Sequence, residues 1–233
     1  EAEKGLVNHM NEKKRVLIVD DSALMRRILQ NILSEDPDIE IIGTAKDGIE
    51  AFKKAQELKP DVITLDIEMP LMDGLTCLEN LLKHRQYGII MVSSITKERA
   101  NATIRALELG AFDFVIKSDN VFDMSSIEKR DEIIQKVKLA YRSLRKTNIS
   151  GRTYIRNKFK TDESAAHSSD LKYIIALGIS TGGPRALSEI LPEFPADLPA
   201  AIVIVQHMPP RFTASLAARL NENCRLIVKE AED

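Results

Sequence analysis

Asp61–Gly74 reads DVITLDIEMPLMDG. Val62, Ile63, Thr64 and Leu65 are a short, β-branched and apolar run of the kind that fills a strand buried on both faces. Asp66 stands where that run stops. Met69-Pro70 breaks the strand direction, and Met72-Asp73-Gly74 supplies turn residues before an apolar-periodic segment begins at Leu75. In an open α/β sheet, a carboxylate at the carboxyl end of a parallel strand points into the crevice where ligands bind. Asp66 is therefore the first candidate for a reactive group.

Upstream of this stretch, residues 16–19 (VLIV) form another strand, and Asp20, Asp21 and Ser22 follow it directly. Two adjacent carboxylates repel each other and raise each other's proton affinity unless a cation lies between them. That is a motive for Mg2+, which prefers a few carboxylates plus water. The alternative is that Asp20 and Asp21 merely favour a helix N-terminus. Ser22 is a good N-cap for the helix carrying Leu24, Ile28, Leu29 and Leu33.

Further strands are expected at 39–42, 89–92 and 112–116, and helices at about 48–58, 75–83, 97–109 and 126–144. Strands alternating with helices across short turns mean an α/β fold with a parallel sheet wrapped on both sides. Right-handed crossovers make it doubly wound and flavodoxin-like. Ser93 and Lys117 then end the fourth and fifth strands, on the same rim as Asp20, Asp21 and Asp66. A hydroxyl and a lysine there suit the oxygens of a phosphoryl group on Asp66. A lone Ser or Lys at a strand end is usually a solvated turn residue, but five suitable residues on one rim are hard to dismiss.

Asp20-Asp21, Asp66 within LDIEMPLMDG, Ser93 and Lys117 together resemble the receiver domain of bacterial two-component response regulators, over about residues 15–145. The resemblance implies that Asp66 accepts a phosphoryl group from a histidine kinase. It also implies that Asp20, Asp21, Asp66 and the backbone of Glu68 hold Mg2+. Ser93 and Lys117 would contact the phosphoryl group, and Phe114 occupies the aromatic switch position. One departure is that Lys117 is followed by Ser118 where the family usually has proline, which leaves the geometry of the next loop open.

Residues 1–14 read as a polar leader and 146–170 as a linker. A stretch free of acidic residues carries Arg142, Arg145, Lys146, Arg152, Arg156, Lys158 and Lys160. It is either a solvated tether or a docking strip for an acidic partner. Residues 173–177 (YIIAL) make another buried strand, followed by Gly178-Ile-Ser180-Thr-Gly182-Gly183-Pro184. This matches G-x-S-x-G, in which a tight strand-to-helix turn projects a serine, with a Gly-rich phosphate loop as the rival reading. Residues 201–205 (AIVIV) form the next strand, and Gln206-His207-Met208-Pro209-Pro210 ends it. If the two strands are neighbours, His207 shares a rim with Ser180 and can take its proton. The other histidines, His9, His84 and His167, read as structural or incidental.

GISTGGP followed by QHMPP, joined to a receiver, resembles the CheB family of chemotaxis methylesterases. The resemblance implies a second doubly wound, Rossmann-like esterase domain beginning at about residue 171. There Ser180 attacks glutamate methyl esters on chemoreceptors and His207 is the base, with deamidation of glutamines as a related activity. Regulation follows when phosphoryl Asp66 draws in Ser93, reorients Phe114 and moves the receiver off the esterase rim. The family's triad aspartate belongs to a later strand end than the sequence reaches. Neither Asp197 nor Asp233 is a persuasive substitute, and losing the orienting carboxylate costs on the order of ten-thousand-fold in turnover. A C-terminally truncated, nearly inactive esterase is the resulting expectation, with LIVKEAED at the start of a third strand. The reading from a different class is a phosphoryl-accepting module that hydrolyses nothing.

Composition agrees with both. The chain has 233 residues, 33 basic against 35 acidic, so bulk charge suggests neither nucleic acid nor a membrane surface as partner. A DNA-binding regulator would need a basic helix-turn-helix after the receiver, where GISTGGP stands instead. No apolar run approaches the roughly 18–20 residues of a membrane span. Cys77 and Cys224 belong to no CxxC pair, which fits a cytoplasmic protein without disulfides or a zinc site.

Overall fold

The structure, a computed structural model, describes residues 13–94, 96–117, 124, 126–147, 171–210 and 212–232. Residues 1–12 of the expected leader, most of the expected linker with Arg152, Arg156, Lys158 and Lys160 of the basic strip, the loop beginning at Ser118, and Asp233 lie outside those residues. Lys14, expected in the leader, instead opens the first strand, and Arg142, Arg145 and Lys146 fall within the helix Ile127–Thr147. Two compact units are present: residues up to 95 with 109–151, and residues 96–108 with 152–233.

The first unit is built on a five-stranded parallel sheet: β1 (Lys14–Val19), β2 (Ile39–Ala45), β3 (Val62–Asp66), β4 (Gly88–Ser93) and β5 (Asp113–Ile116), in the order β2-β1-β3-β4-β5. Side chains alternate between the faces of a strand. Val16, Ile18, Val62, Ile90, Val92 and Val115 therefore share one face, in a single buried cluster with Ile28, Leu29, Ile32 and Leu33 of α1 (Ala23–Ser34) and Ile133, Val137 and Ala140 of α5 (Ile127–Thr147). Leu17, Val19, Ile63, Leu65, Ile89 and Met91 point the other way and are equally buried. On that side lie α2 (Gly48–Leu58) and α3 (Gly74–His84), which bury Ala51, Ala55, Cys77, Leu78 and Leu81. Both faces are dry, which is why these strands read as unbroken apolar runs. Ser22, Asp47 and Asp73 cap α1, α2 and α3 through side-chain oxygens that accept backbone N–H bonds. His84 packs edge-on against Phe52.

In the second unit β6 (Tyr173–Ile179) and β7 (Ala200–Gln206) pair in parallel, from Tyr173 opposite Ala200 to Ile179 opposite Gln206. α6 (Gly183–Ile190), a 3₁₀ turn at Leu191–Glu193 and α7 (Phe212–Asn223) supply buried Leu187, Leu191, Phe212, Leu216 and Leu220. α4 (Lys97–Leu109), which follows β4 in the chain, falls in this unit over residues 96–108. The strand expected to start at Leu226 does not form among the described residues. Its backbone bonds locally instead, with the Val228 N–H donating to Asn221 Oδ1 at 2.8 Å. Among the described residues no helix is long and apolar enough to cross a membrane.

Candidate functional site

The rim of the first sheet is assembled by register. Val19 lies opposite Leu65, so Asp20 emerges beside Asp66; Asp66 lies opposite Val92, Ser93 opposite Ile116, and Lys117 follows. Four neighbouring parallel strands thus deliver their end residues to one edge. Carboxylate oxygens of Asp20, Asp21 and Asp66 all lie within 4.8 Å of one another. The Lys117 ammonium is 2.8 Å from Asp20 Oδ2 and 2.7 Å from Asp66 Oδ2. Asp20 is fully buried and Asp66 is 5% exposed.

Burial pushes the Asp66 carboxyl up to about 6; Asp20 and Asp21 add to this and Lys117 works against it. Lys117 is itself partly buried, which opposes its charge, but Asp66 and Asp20 outweigh that and hold its proton more tightly than usual. Three carboxylates against one ammonium leave the pocket short of positive charge. Its donors are all hard oxygens, so the residues present fit a small divalent cation.

Ser93 is buried at the end of β4, its hydroxyl 3.4 Å from the Ser94 carbonyl. Glu68 is exposed in the loop two residues past Asp66. Phe114 is buried, with Lys136 Nζ 5.3 Å from its ring centroid; the same ammonium donates to the Phe114 carbonyl.

The rim of the second unit follows the same rule. Ser180 and His207 each follow the last residue of a strand, and Ile179 pairs with Gln206. The His207 N–H donates to the Ile179 carbonyl at 2.9 Å, and Ser180 Oγ lies 3.4 Å from His207 Nδ1. With the ring proton on Nε2, Nδ1 is free to accept the serine proton. Gly182 has a φ of 74°, the left-handed conformation that turns the chain from Ser180 into α6. Asp197 sits in an exposed turn, and among the described residues no carboxylate is hydrogen-bonded to His207.

One residue of this site escaped the sequence reading. The Gln206 Nε2 group donates to the carbonyls of Ser180, at 3.0 Å, and of His207, at 3.1 Å, so one amide ties the serine turn to the histidine strand end. Two carbonyl acceptors also settle which end of the amide is nitrogen. Its Oε1 lies against Gly183, where a Cβ would come within 2.1 Å. Gln206→Met is expected to destabilise this unit by about 1–2 kcal/mol and to slow labelling of Ser180 by a fluorophosphonate about tenfold. Thermal unfolding and labelling rates check this, and unchanged labelling would show that the tie does not set the Ser180–His207 geometry.

Comparison with known proteins matches both units. The family described as response regulator receiver domain matches residues 16–128, and that described as CheB methylesterase matches residues 175–233. A protein of Carboxydothermus hydrogenoformans named protein-glutamate methylesterase/protein-glutamine glutaminase 2 is 50% identical over 95% of this chain and 63% of its own length. One of Bacillus subtilis with the same name, without the numeral, is 43% identical over 94% of this chain and 63% of its own. The chain thus spans somewhat under two thirds of the length of these relatives. Among solved structures, the response regulator domain of Thermotoga maritima CheB is 45% identical with a TM-score of 0.52, over 56% of this chain and 98% of that one. The acidic rim and the Ser–His rim fall in the same order as the two family matches, and the chain joins a response regulator receiver domain to a CheB methylesterase domain.

Proposed function

We propose that this chain is a phosphorylation-regulated hydrolase of glutamate methyl esters on chemoreceptors, with glutamine side chains as further substrates. The observation that carries the reading is the 3.4 Å approach of Ser180 Oγ to His207 Nδ1 on neighbouring strand ends, in a chain that also bears the acidic rim.

In the receiver, an Asp66 oxygen attacks the phosphorus of a donor supplied by a chemotaxis histidine kinase. The bond from phosphorus to the leaving group breaks, and that group departs with its electron pair. Asp20, Asp21, Asp66 and the backbone of Glu68 would hold Mg2+, which when bound neutralises charge on the phosphoryl oxygens. Lys117 is already at the Asp66 carboxylate and supplies a second positive partner, Ser93 supplies a hydroxyl donor, and Phe114 responds as the switch residue.

In the esterase, Ser180 Oγ attacks the ester carbonyl carbon while His207 takes the hydroxyl proton. When the tetrahedral adduct collapses, the C–OCH3 bond breaks and methanol leaves with the proton held by His207. Water, deprotonated by His207, then attacks the acyl carbon, the bond to Ser180 Oγ breaks, and free glutamate and serine result. A glutamine substrate follows the same path with ammonia leaving.

The test is methanol release from methylated receptor membranes by this chain, with and without Mg2+ and acetyl phosphate, against a Ser180→Ala background. Release that depends on Ser180 and rises on phosphorylation is expected, at a rate lowered on the order of ten-thousand-fold where no carboxylate orients His207. No Ser180-dependent release from a chain that still takes up phosphate at Asp66 would overturn the hydrolase half of the reading and leave the receiver half standing.

A further inference from the structure

One nitrogen of Arg26, on α1, donates to two consecutive backbone carbonyls: Nη1 reaches the Asp20 carbonyl at 2.8 Å and the Asp21 carbonyl at 3.0 Å. In an extended strand, successive carbonyls and successive side chains point to opposite sides. The chain departs from that pattern just past β1. Asp20 and Asp21 both bring carboxylate oxygens into one group with Asp66, so the backbone has turned, and the turn leaves both carbonyls facing one cation. The same corner is tied by the Ser22 N–H, which donates to Asp20 Oδ1 at 2.9 Å, and by the Asp20 N–H, which donates to the Ala45 carbonyl at 3.1 Å. Arg26 is itself held, because the next turn of α1 buries Ile28, Leu29, Ile32 and Leu33.

We propose that Arg26 is a positioning residue for the cation site. By holding the Asp20 and Asp21 carbonyls from behind, it keeps the two carboxylates turned to the same side, ready for a divalent ion. The proposal rests on reading Asp20, Asp21 and Asp66 as that site. Lysine is a weaker substitute, since a planar guanidinium presents two N–H bonds from one nitrogen in a fixed fork, whereas an ammonium must be oriented by its stem. Without Arg26 the two carbonyls turn to water, the carboxylates swing apart, and the ion must reorder them when it binds.

Charge alone predicts the opposite sign. Removing a cation beside an acidic pocket lowers the repulsion felt by an incoming Mg2+ and should tighten its binding. Loss of positioning weakens it, and outer partners of metal ligands typically matter by about tenfold or more in affinity.

The experiment is calorimetric titration of Mg2+ into the chain and its Arg26→Gln variant, with Arg27→Gln, an exposed neighbour on the same helix, as the charge control. Phosphate uptake from acetyl phosphate is followed alongside. Arg26→Gln is expected to raise the Mg2+ Kd about tenfold while uptake at saturating Mg2+ stays near the wild-type rate, and Arg26→Lys to recover part of the affinity. Arg27→Gln should leave Kd unchanged or slightly lower it. Should Arg26→Gln fail to fold, Arg26→Met, which keeps the apolar stem, carries the same test. An unchanged or lower Kd in the folded variant overturns the proposal. A wild-type chain that binds no Mg2+ overturns the cation-site reading and the proposal together.

Discussion

Lys117→Met is expected to destabilise the first unit by about 3–5 kcal/mol at pH 7 in EDTA, because it strips the cation from buried carboxylates and leaves their charge uncompensated. Lys117 Nζ sits between Asp20 and Asp66, 2.8 and 2.7 Å from their oxygens. Burial, with help from Asp20 and Asp21, already raises Asp66 to about 6 despite that ammonium, so removing it raises Asp66 further. A carboxyl whose folded pKa lies above its unfolded value near 3.8 binds more protons in the native state through that interval. Native stability then rises as pH falls through it. The deficit of Lys117→Met is therefore largest at neutral pH and shrinks toward pH 5, as Asp66 takes up a proton. Mg2+ at millimolar concentration should recover part of it by binding the native state. Chemical denaturation at pH 5, 6 and 7 in EDTA is the check. A deficit that stays flat, or that grows toward acid, would show that the loss comes from side-chain packing and not from charge.

Gly74→Ala is the second large effect, and here helix propensity and tertiary packing predict opposite signs. Gly74 opens α3, and within a helix alanine is favoured over glycine by about 1 kcal/mol. In the fold, a Cβ at Gly74 would lie 2.0 Å from the Asp66 carbonyl oxygen and 2.8 Å from the Ile67 Cα. Both are backbone atoms that cannot rotate away, and the Gly74 N–H is already bonded to the Ile67 carbonyl at 2.8 Å. Accommodating one methyl means shifting α3 or the end of β3, so a loss of about 3 kcal/mol or more is expected. Phosphate uptake at Asp66 should fall with it. Gly178→Ala, where no atom lies within 4 Å of the added Cβ, is the stability control. Equal unfolding midpoints for Gly74→Ala and wild type would sink the prediction.

In the first unit much of the architecture was legible because parallel strands covered on both faces leave strong marks; in the second, the strand at YIIAL, expected to be buried, forms but leaves Tyr173 and Ile174 exposed. The helix expected at 97–109 occurs as Lys97–Leu109, and the strand expected at 62–65 runs one residue further, as Val62–Asp66. Elsewhere the limits moved by a few residues, as in β2, which runs to Ala45. The end residues were legible for a topological reason. Right-handed crossovers bring the carboxyl ends of parallel strands to one rim, so Asp20, Asp66, Ser93 and Lys117 share one edge, as Ser180 and His207 share another.

Gly74 shows where that kind of reading stops. Its place in MDG suggested a turn residue chosen for backbone freedom, yet the positive φ in this loop, 67°, belongs to Leu71, and Gly74 is required by the close approach of two backbones. The strand expected at LIVKEAED failed for a similar reason: an apolar run becomes a strand only where a ladder partner lies alongside it, and apolar character does not show whether one does.

By itself the sequence determined the order of strands and helices and the rim on which each chemical group lies, while the neighbouring of β6 and β7 that brings Ser180 to His207, and the contact of Lys117 with Asp66, came with the structure. The order and the rim follow from periodicity and handedness, which act on residue types. Only the tertiary structure decided that Asp66 holds its proton up to about 6, that Gly74 admits no side chain, and that Arg26 and Gln206 each hold two carbonyls. Those depend on burial, on the distances between charges, and on backbone oxygens that every residue carries alike, so no pattern of side chains encodes them.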